Sequence, residues 1–288
     1  MKRVLITGKN SYVGNSFEKW VTDNYPEEFQ IDKISLRTDE WKSVDFSIYD
    51  VVLHVAGIAH VSTDPSLREK YYRINRDLTM EIATKANLEG VKQFIFLSSI
   101  IVYGDSINNT GVIRERTIPK PSNYYGDSKL QAENGLKDLE SKSFKIVIIR
   151  PPMIYGKNSK GNYPRLAKFA TMSPVFPNFY NRRSMLHIDN LSEFIKLMIQ
   201  NKECGLFFPQ NKDYVQTSNM VEEIAKAHNK TIKTTKIFNP IINLLRNRLV
   251  LINKVFGDLY YERDLSNYKE DYIVHDLRSS IASTESRD

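Results

Sequence analysis

The sequence predicts an α/β protein, a doubly wound parallel sheet with a smaller C-terminal α/β part. Three observations point there. Short, almost wholly apolar runs recur along the first half, which suits strands buried on both faces. Segments with apolar residues at helical spacing separate them. After Pro151-Pro152 the rhythm changes, and Pro164, Pro174 and Pro177 break it up. Such alternation makes a parallel sheet covered on both sides. Right-handed crossovers then bring the loops after the strands to one edge, where ligands bind.

Taken in order, Val4-Leu5-Ile6-Thr7 reads as a strand ending at Gly8, and Val13, Phe17, Trp20 and Val21 mark the first helix. Lys33–Leu36 is the expected second strand and Val51–Ala56 the third. Trp41–Ile48 leaves little room for a full strand–helix unit, so one is expected to be reduced there. One long helix is expected over Ser66–Glu89, stopped by Gly90. Phe94–Ser98 reads as a strand, Tyr125–Glu140 as a helix and Lys145–Arg150 as a strand. Beyond the proline pair, helices are expected near Asn190–Gln200 and Asn219–His228, with short strands near Leu206–Phe208 and Ile232–Lys236. Pro240–Phe256 is apolar and basic. It could lie on a membrane or a partner, but the preferred reading is a helix over a ligand pocket, with arginines reaching a diphosphate. Ser279–Asp288 reads as a loose tail. The expected units are 1–155 and 156–288, the second packed on and partly interleaved with the first.

The 288 residues, 41% of them hydrophobic, can bury a sizeable core. The one cysteine, Cys204, excludes an internal disulfide and a cysteine metal cluster, and no metal is expected. The first apolar run is too short for a signal peptide, and no run approaches the roughly 20 residues of a membrane span. A cytoplasmic protein without membrane insertion is expected. The formal charge is +7, but lysines and arginines are scattered among acids with no aromatic-basic module. Nucleic acid is therefore not the expected partner, and a cleft for an anionic diphosphate accounts for part of the charge.

Gly8-Lys9-Asn10-Ser11-Tyr12-Val13-Gly14 follows a strand and opens a helix. Glycines there allow a tight turn and close approach to a pyrophosphate at the helix N-terminus. Ser11 stands where a middle glycine is common, and its hydroxyl could bind a phosphate oxygen. Units of this kind bind dinucleotides in a Rossmann-type fold. An acid at the end of the second strand would take the adenosine ribose, but Ser35-Leu36-Arg37 stands there. Arg37 suits a 2′-phosphate and favours NADP(H), with NAD the other cofactor the site admits. In the NAD reading, Asp32 or Asp39 takes the ribose.

Tyr125 and Lys129 are four apart on an expected helix and share one face. A nearby ammonium favours the phenolate, so the tyrosine can exchange a proton with a hydroxyl or carbonyl while hydride moves. Upstream, Phe96-Leu97-Ser98-Ser99 runs from a strand into a loop at the ligand edge, placing Ser99 at the reacting oxygen.

With these motifs, the chain resembles the extended short-chain dehydrogenase/reductase superfamily, in its nucleotide-sugar epimerase and dehydratase group. The resemblance spans nearly the whole chain. It runs from Gly8–Gly14 through His54-Val55-Ala56-Gly57-Ile58-Ala59-His60, Asn75, Ser99, Tyr125, Lys129 and Arg150–Gly156 to Arg183–Asp189. It implies Ser99, Tyr125 and Lys129 as the catalytic set. It implies a cofactor lying against Gly8, Ser11, Tyr12, Val13, Gly14, Arg37, Ala56, Gly57, Ser98, Tyr125, Lys129, Pro151, Met153 and Ile154. Besides Ser99 and Tyr125, it puts Asn162, Arg183 and His187 near the nucleotide sugar, although His187 reads equally as a structural histidine. Asn75 is expected to support helix geometry, and His60 to be an exposed loop histidine. A homodimer through a four-helix interface is compatible with the resemblance.

Sugar dehydratases of this group carry an Asp-Glu pair after the catalytic Ser or Thr. Here Ile100 and Ile101 stand there, which argues against elimination. Arg37 favours a reductase with diffusible NADPH. The Phe256-Gly257-Asp258-Leu259-Tyr260-Tyr261 segment, together with His54–His60, resembles reductases of UDP-linked 4-keto-6-deoxy-N-acetylhexosamines in surface-polysaccharide synthesis. A UDP-sugar 4-epimerase holding NAD is the alternative, and a non-catalytic NADP(H) sensor a remote one.

Overall fold

The computed structural model describes residues 1–59, 64–104, 111–246 and 248–286. His60, expected on an exposed loop, lies outside the described residues.

The chain opens with β1 (Lys2–Thr7), α1 (Tyr12–Asn24), β2 (Phe29–Ile34) and β3 (Val51–His54). It continues through α2 (Arg68–Tyr72), α3 (Leu78–Leu88), β4 (Gln93–Leu97), β5 (Val112–Ile113), α4 (Tyr124–Leu139) and β6 (Lys145–Ile149). Next come β7 (Met153–Tyr155), α5 (Asn162–Met172), β8 (Val175–Pro177), β9 (Met185–His187), α6 (Ile188–Gln200) and β10 (Gly205–Phe207). The last elements are α7 (Thr217–Ala227), β11 (Lys233–Thr235), α8 (Asn239–Leu245), α9 (Val250–Phe256), β12 (Tyr260–Tyr261) and α10 (Leu277–Glu285).

Six strands form one parallel sheet in the order β10-β6-β4-β3-β1-β2, a Rossmann-type arrangement. The inner strands β3, β4 and β6 are largely apolar because both faces are covered, while the edge strand β2 carries Gln30, Asp32 and Lys33. One core joins α1 and α6 to the sheet through Phe17, Val21, Leu191, Phe194 and Met198. The other joins α3 and α4 through Ile82, Ala86, Ala132 and Leu136. The C-terminal segment is woven into the sheet: it supplies the edge strand β10 and the covering helix α6. A third core, around Tyr155, Tyr163, Phe176, Met220 and Ile224, belongs to the C-terminal part.

Four expectations are corrected. The second strand is Phe29–Ile34, not Lys33–Leu36. Buried Phe29 starts it opposite Lys2, and the pairing ends at Ile34 opposite Thr7, so Ser35–Arg37 lie past the strand end. The unit before β3 is reduced, as expected, to a short 3₁₀ turn, Asp39–Ser43, pinned by buried Trp41. The long helix over 66–89 is broken by a π turn at Arg73–Asp77, at a wide backbone step centred on Asn75. The loose tail is a helix, α10. Its Asp276 Oδ1 accepts from Ser279 N at 2.7 Å, and Ile281 is 1% exposed. Its buried face is largely Ser280 and Thr284, so composition concealed it. Finally, 240–256 is two short helices, and much of their apolar surface faces outward instead of covering a pocket.

Candidate active site

All six sheet strands run in one direction, so the loops after β1, β3, β4 and β6 open at one edge. Gly8 begins the first loop with φ +111°, and a Cβ there would lie 3.1 Å from Ala56 N. The β1 and β3 loops therefore touch backbone to backbone, and only glycine permits it. Ser11 Oγ accepts from Gly14 N (3.1 Å) and caps α1. Its lone pair thus serves the helix end. The N–H groups of Tyr12 and Val13 open the first turn, where no preceding carbonyl can reach them, and face the same edge. A dinucleotide pyrophosphate fits that helix end.

The Tyr12 side chain goes elsewhere. Its buried hydroxyl lies where a side chain on Gly156 would be, and burial, then Asp189, raises its pKa. His187, expected near the sugar, sits beyond it. It is 1% exposed, its ring meets Tyr155 and His275, and its Nδ1 accepts from Asp189 N. Burial, then His275, lowers its pKa to about 3. It is a neutral core histidine capping α6, and its expected contact with substrate is withdrawn.

The centre of the site is α4. Asn123 Oδ1 caps it by accepting from Gly126 N (2.9 Å), which places Tyr125 and Lys129 on the inner face. The Tyr125 hydroxyl bonds to Ser99, whose Oγ also accepts from Ile101 N at 3.3 Å. Burial raises the Tyr125 pKa, and the Ser99 bond opposes it. Lys129 Nζ donates to Leu97 O (2.9 Å) and lies 4.4 Å from the Phe96 ring centroid. Burial lowers the Lys129 pKa to about 7, and Glu133 pulls it back up. The expected lowering of the phenol by the ammonium is not what governs Tyr125 here. Desolvation dominates both groups. Gly57 completes the packing: a Cβ there would lie 3.2 Å from Lys129 Nζ and 3.0 Å from Asn75 Oδ1.

Two layers support these residues, one through Asn75, which the sequence reading named, and one through Glu133, which it did not. Asn75 Oδ1 accepts from Ile58 N (2.8 Å), and its Nδ2 donates to Ser128 Oγ (3.1 Å), tying the β3 loop to α4. One turn beyond Lys129, buried Glu133 accepts from Ser98 Oγ and from Arg150 Nε (3.0 Å). Arg150 Nη1 in turn donates to Tyr103 (2.7 Å). Ser98 thus belongs to this network. The spacing of Tyr125, Lys129 and Glu133, each four apart, could have revealed Glu133.

The remaining expected residues spread around this centre. Pro151 O accepts from Ile100 N (2.9 Å), while Met153 and Ile154 run in β7 beside β9. Arg37 is exposed just past β2, next to the loop in which Gly8 N and Lys9 N bond Ile34 O. Asp32 is engaged by the Tyr49 hydroxyl and Asp39 by Lys42 (3.0 Å). Asn162 is exposed at the start of α5, and Arg183 Nη1 donates to Gly257 O at 2.9 Å. Buried His54 explains the shape of the β3 end. Thr79 Oγ1 donates to Asn75 O, so it accepts from His54 Nε2 (3.0 Å), while His54 Nδ1 accepts from Thr7 Oγ1 (2.7 Å).

Comparison with known proteins agrees with this geometry. A family model described as the NAD dependent epimerase/dehydratase family matches residues 4–215. The chain is 30% identical to a UDP-glucose 4-epimerase of Vibrio cholerae, over 92% of this chain and 84% of that protein. It is 27% identical to an N-acetyl-alpha-D-glucosaminyl-diphospho-ditrans,octacis-undecaprenol 4-epimerase of Escherichia coli O157:H7, over 89% and 82%. Its fold matches that of RMD from Pseudomonas aeruginosa, solved with NADPH, with a TM-score of 0.75 and 16% identity over 99% and 98% of the two chains.

Proposed function

The chain belongs to the NAD-dependent epimerase/dehydratase family, whose members are NAD(P)-dependent enzymes of the short-chain dehydrogenase/reductase type, and from that premise we propose that it reduces C4 of a UDP-linked 4-keto-6-deoxy-N-acetylhexosamine with NADPH. The product would feed surface-polysaccharide synthesis. The observation that carries the reading is the hydrogen-bonded Ser99–Tyr125 pair beside Lys129, at the sheet edge opposite the α1 N-terminus. Bound nicotinamide would supply the hydride. Burial keeps Tyr125 protonated, so it arrives as a proton donor for the C4 oxygen. Ser99 would hold that oxygen in place. Lys129, with a pKa near 7, can return a proton to Tyr125 and hold the cofactor ribose. Ile100 and Ile101 offer no acid or base for elimination of water. Arg37, with Asp32 and Asp39 engaged elsewhere, supports NADPH over NADH.

A 4-epimerase with tightly held NAD is the second reading. Its support is that two relatives, at 30% and 27% identity over about nine-tenths of this chain, are 4-epimerases, one named for a diphospho-undecaprenol sugar. A sensor without catalysis has less support, because Ser99, Tyr125 and Lys129 are all present. One experiment separates the three. Purified protein is assayed for bound nicotinamide, titrated with NADPH and NADH by fluorescence, and compared with Tyr125→Phe. The proposal expects empty protein, a preference for NADPH, and a variant that binds cofactor but loses turnover by at least about a hundredfold. Protein carrying NAD and ignoring NADPH favours the epimerase, and turnover absent from the unaltered protein favours the sensor.

A further inference from the structure

α8 is amphipathic the wrong way round for a helix that only packs on its own protein. Ile242 is buried at 6% exposure, as expected for the inner face. Yet Ile241 and Leu244, three apart on its outer face, are 58% and 61% exposed, and Ile237, in the turn just before the helix, is 79% exposed. Leu251 on α9 adds a fourth exposed aliphatic side chain at 68%. α5 reaches the same corner of the molecule. Lys230 Nζ donates to Thr171 O (2.6 Å) and Asn239 Nδ2 to Asn178 O (3.0 Å), and Met172 between those anchors is 71% exposed. Isolated exposed aliphatics need no explanation, but a group of them does.

The charge around these aliphatics identifies what covers them. From Ile224 to Gly257 the chain carries seven lysines and arginines and no aspartate or glutamate. Serine 141 to isoleucine 188, which includes α5, is likewise free of acids. Of these cations Lys226 pairs with Glu223 of α7 (2.5 Å), while Lys236, just before α8, is exposed. Lys233 and Arg248 are exposed there, and Arg246 lies 5.6 Å from the Phe179 ring centroid. Exposed aliphatics flanked by a stretch with seven cations and no acids are complementary to an anionic lipid surface: headgroups pair with the cations and the aliphatics enter the acyl boundary. A protein partner that matched the cations would have to present acids around an apolar centre, and a second copy of this face would bring like charges together.

We propose that the α8–α9 corner docks the enzyme peripherally on an anionic bilayer. Among the described residues no helix is long and apolar enough to cross a membrane, so the contact is one of surface seating. α9 ends at Phe256, and the next carbonyl, Gly257 O, accepts from Arg183. This inference goes beyond the reductase reading and does not depend on which sugar reacts.

The test is flotation of the purified full chain with vesicles of phosphatidylglycerol and phosphatidylcholine, against vesicles of phosphatidylcholine alone. Binding to the anionic vesicles is expected to exceed binding to neutral ones by at least about tenfold, and to fall when salt rises from about 0.1 M to about 1 M. The doubly substituted Ile241→Glu, Leu244→Glu variant is expected to lose binding by at least about tenfold while keeping the far-UV circular dichroism and urea midpoint of the unaltered protein, which shows that it is folded. Failure of the full chain to float with anionic vesicles overturns the proposal. So does equal flotation of the variant, or a concentration-dependent dimer that the same substitutions abolish without any vesicle binding. None of these outcomes bears on cofactor preference, so the two proposals fail separately.

Discussion

At position 57, one methyl group decides whether Lys129 keeps its place. A Cβ there would crowd both Lys129 Nζ and Asn75 Oδ1, two groups that cannot retreat because each is fixed by hydrogen bonds in a buried site. Gly57→Ala is therefore expected to lower kcat by roughly tenfold to a hundredfold while leaving the fold intact. Gly90 gives the contrast. It has φ +84° and nothing within 4 Å of an added Cβ, so Gly90→Ala should cost about 1 kcal/mol of stability and leave turnover unchanged. Steady-state kinetics beside urea unfolding of both variants checks the pair, and equal kcat values would remove Gly57 from the positioning of Lys129. Tyr125 and Lys129 were legible in the sequence because four-residue spacing on a helix fixes a shared face. Gly57 was legible only as part of a motif. What it keeps clear is a side chain 72 positions later, and local pattern carries no such information.

Elements were legible where hydrophobic period spoke alone. β1, β3, β4, α4 and β6 fall within a residue or two of expectation. Two of the failures share one cause, which is polar bonding overriding pattern. The π turn exists because Asn75 spends both ends of its amide on Ile58 and Ser128, which widens the helix at that step. α10 is polar in sequence but is fastened by Tyr155 to Ser280 (2.7 Å), Tyr163 to Glu285 (2.7 Å) and His228 to Glu285 (2.6 Å). Its buried apolar anchor is Ile281, with Leu277 packed partly against the same core. Ile281→Ala is expected to destabilise the protein by about 2–4 kcal/mol, read from the urea midpoint. An unchanged midpoint would restore the loose tail.

On the scale of the whole molecule, two buried neutral histidines make stability depend on pH. His54 and His187 each hold a pKa of about 3, lowered chiefly by burial. The unfolded chain takes up protons at these sites below about pH 6.5, whereas the folded chain does not until about 3. Their contribution is thus present above pH 6.5 and lost as pH falls, by at most ~1.4 kcal/mol per histidine per pH unit. Lys129, lowered to about 7, acts in the same direction higher up, with stability rising as pH climbs from about 7 to the ordinary lysine value. Urea midpoints should fall between pH 6.5 and 4.5, and His54→Gln should shrink that fall by roughly 1–2 kcal/mol. An equal fall in the variant would mean that His54 does take up a proton in the folded protein. The sequence by itself determined the parallel sheet, the edge at which ligands bind, and the Ser99, Tyr125, Lys129 set, because periodicity and short spacings act within one element or one strand–loop–helix unit. Only the tertiary structure decided that His187 is core and that Glu133 and Arg150 stand behind Lys129. Those outcomes depend on which distant segments share a buried space, and burial is what sets their charge and their partners.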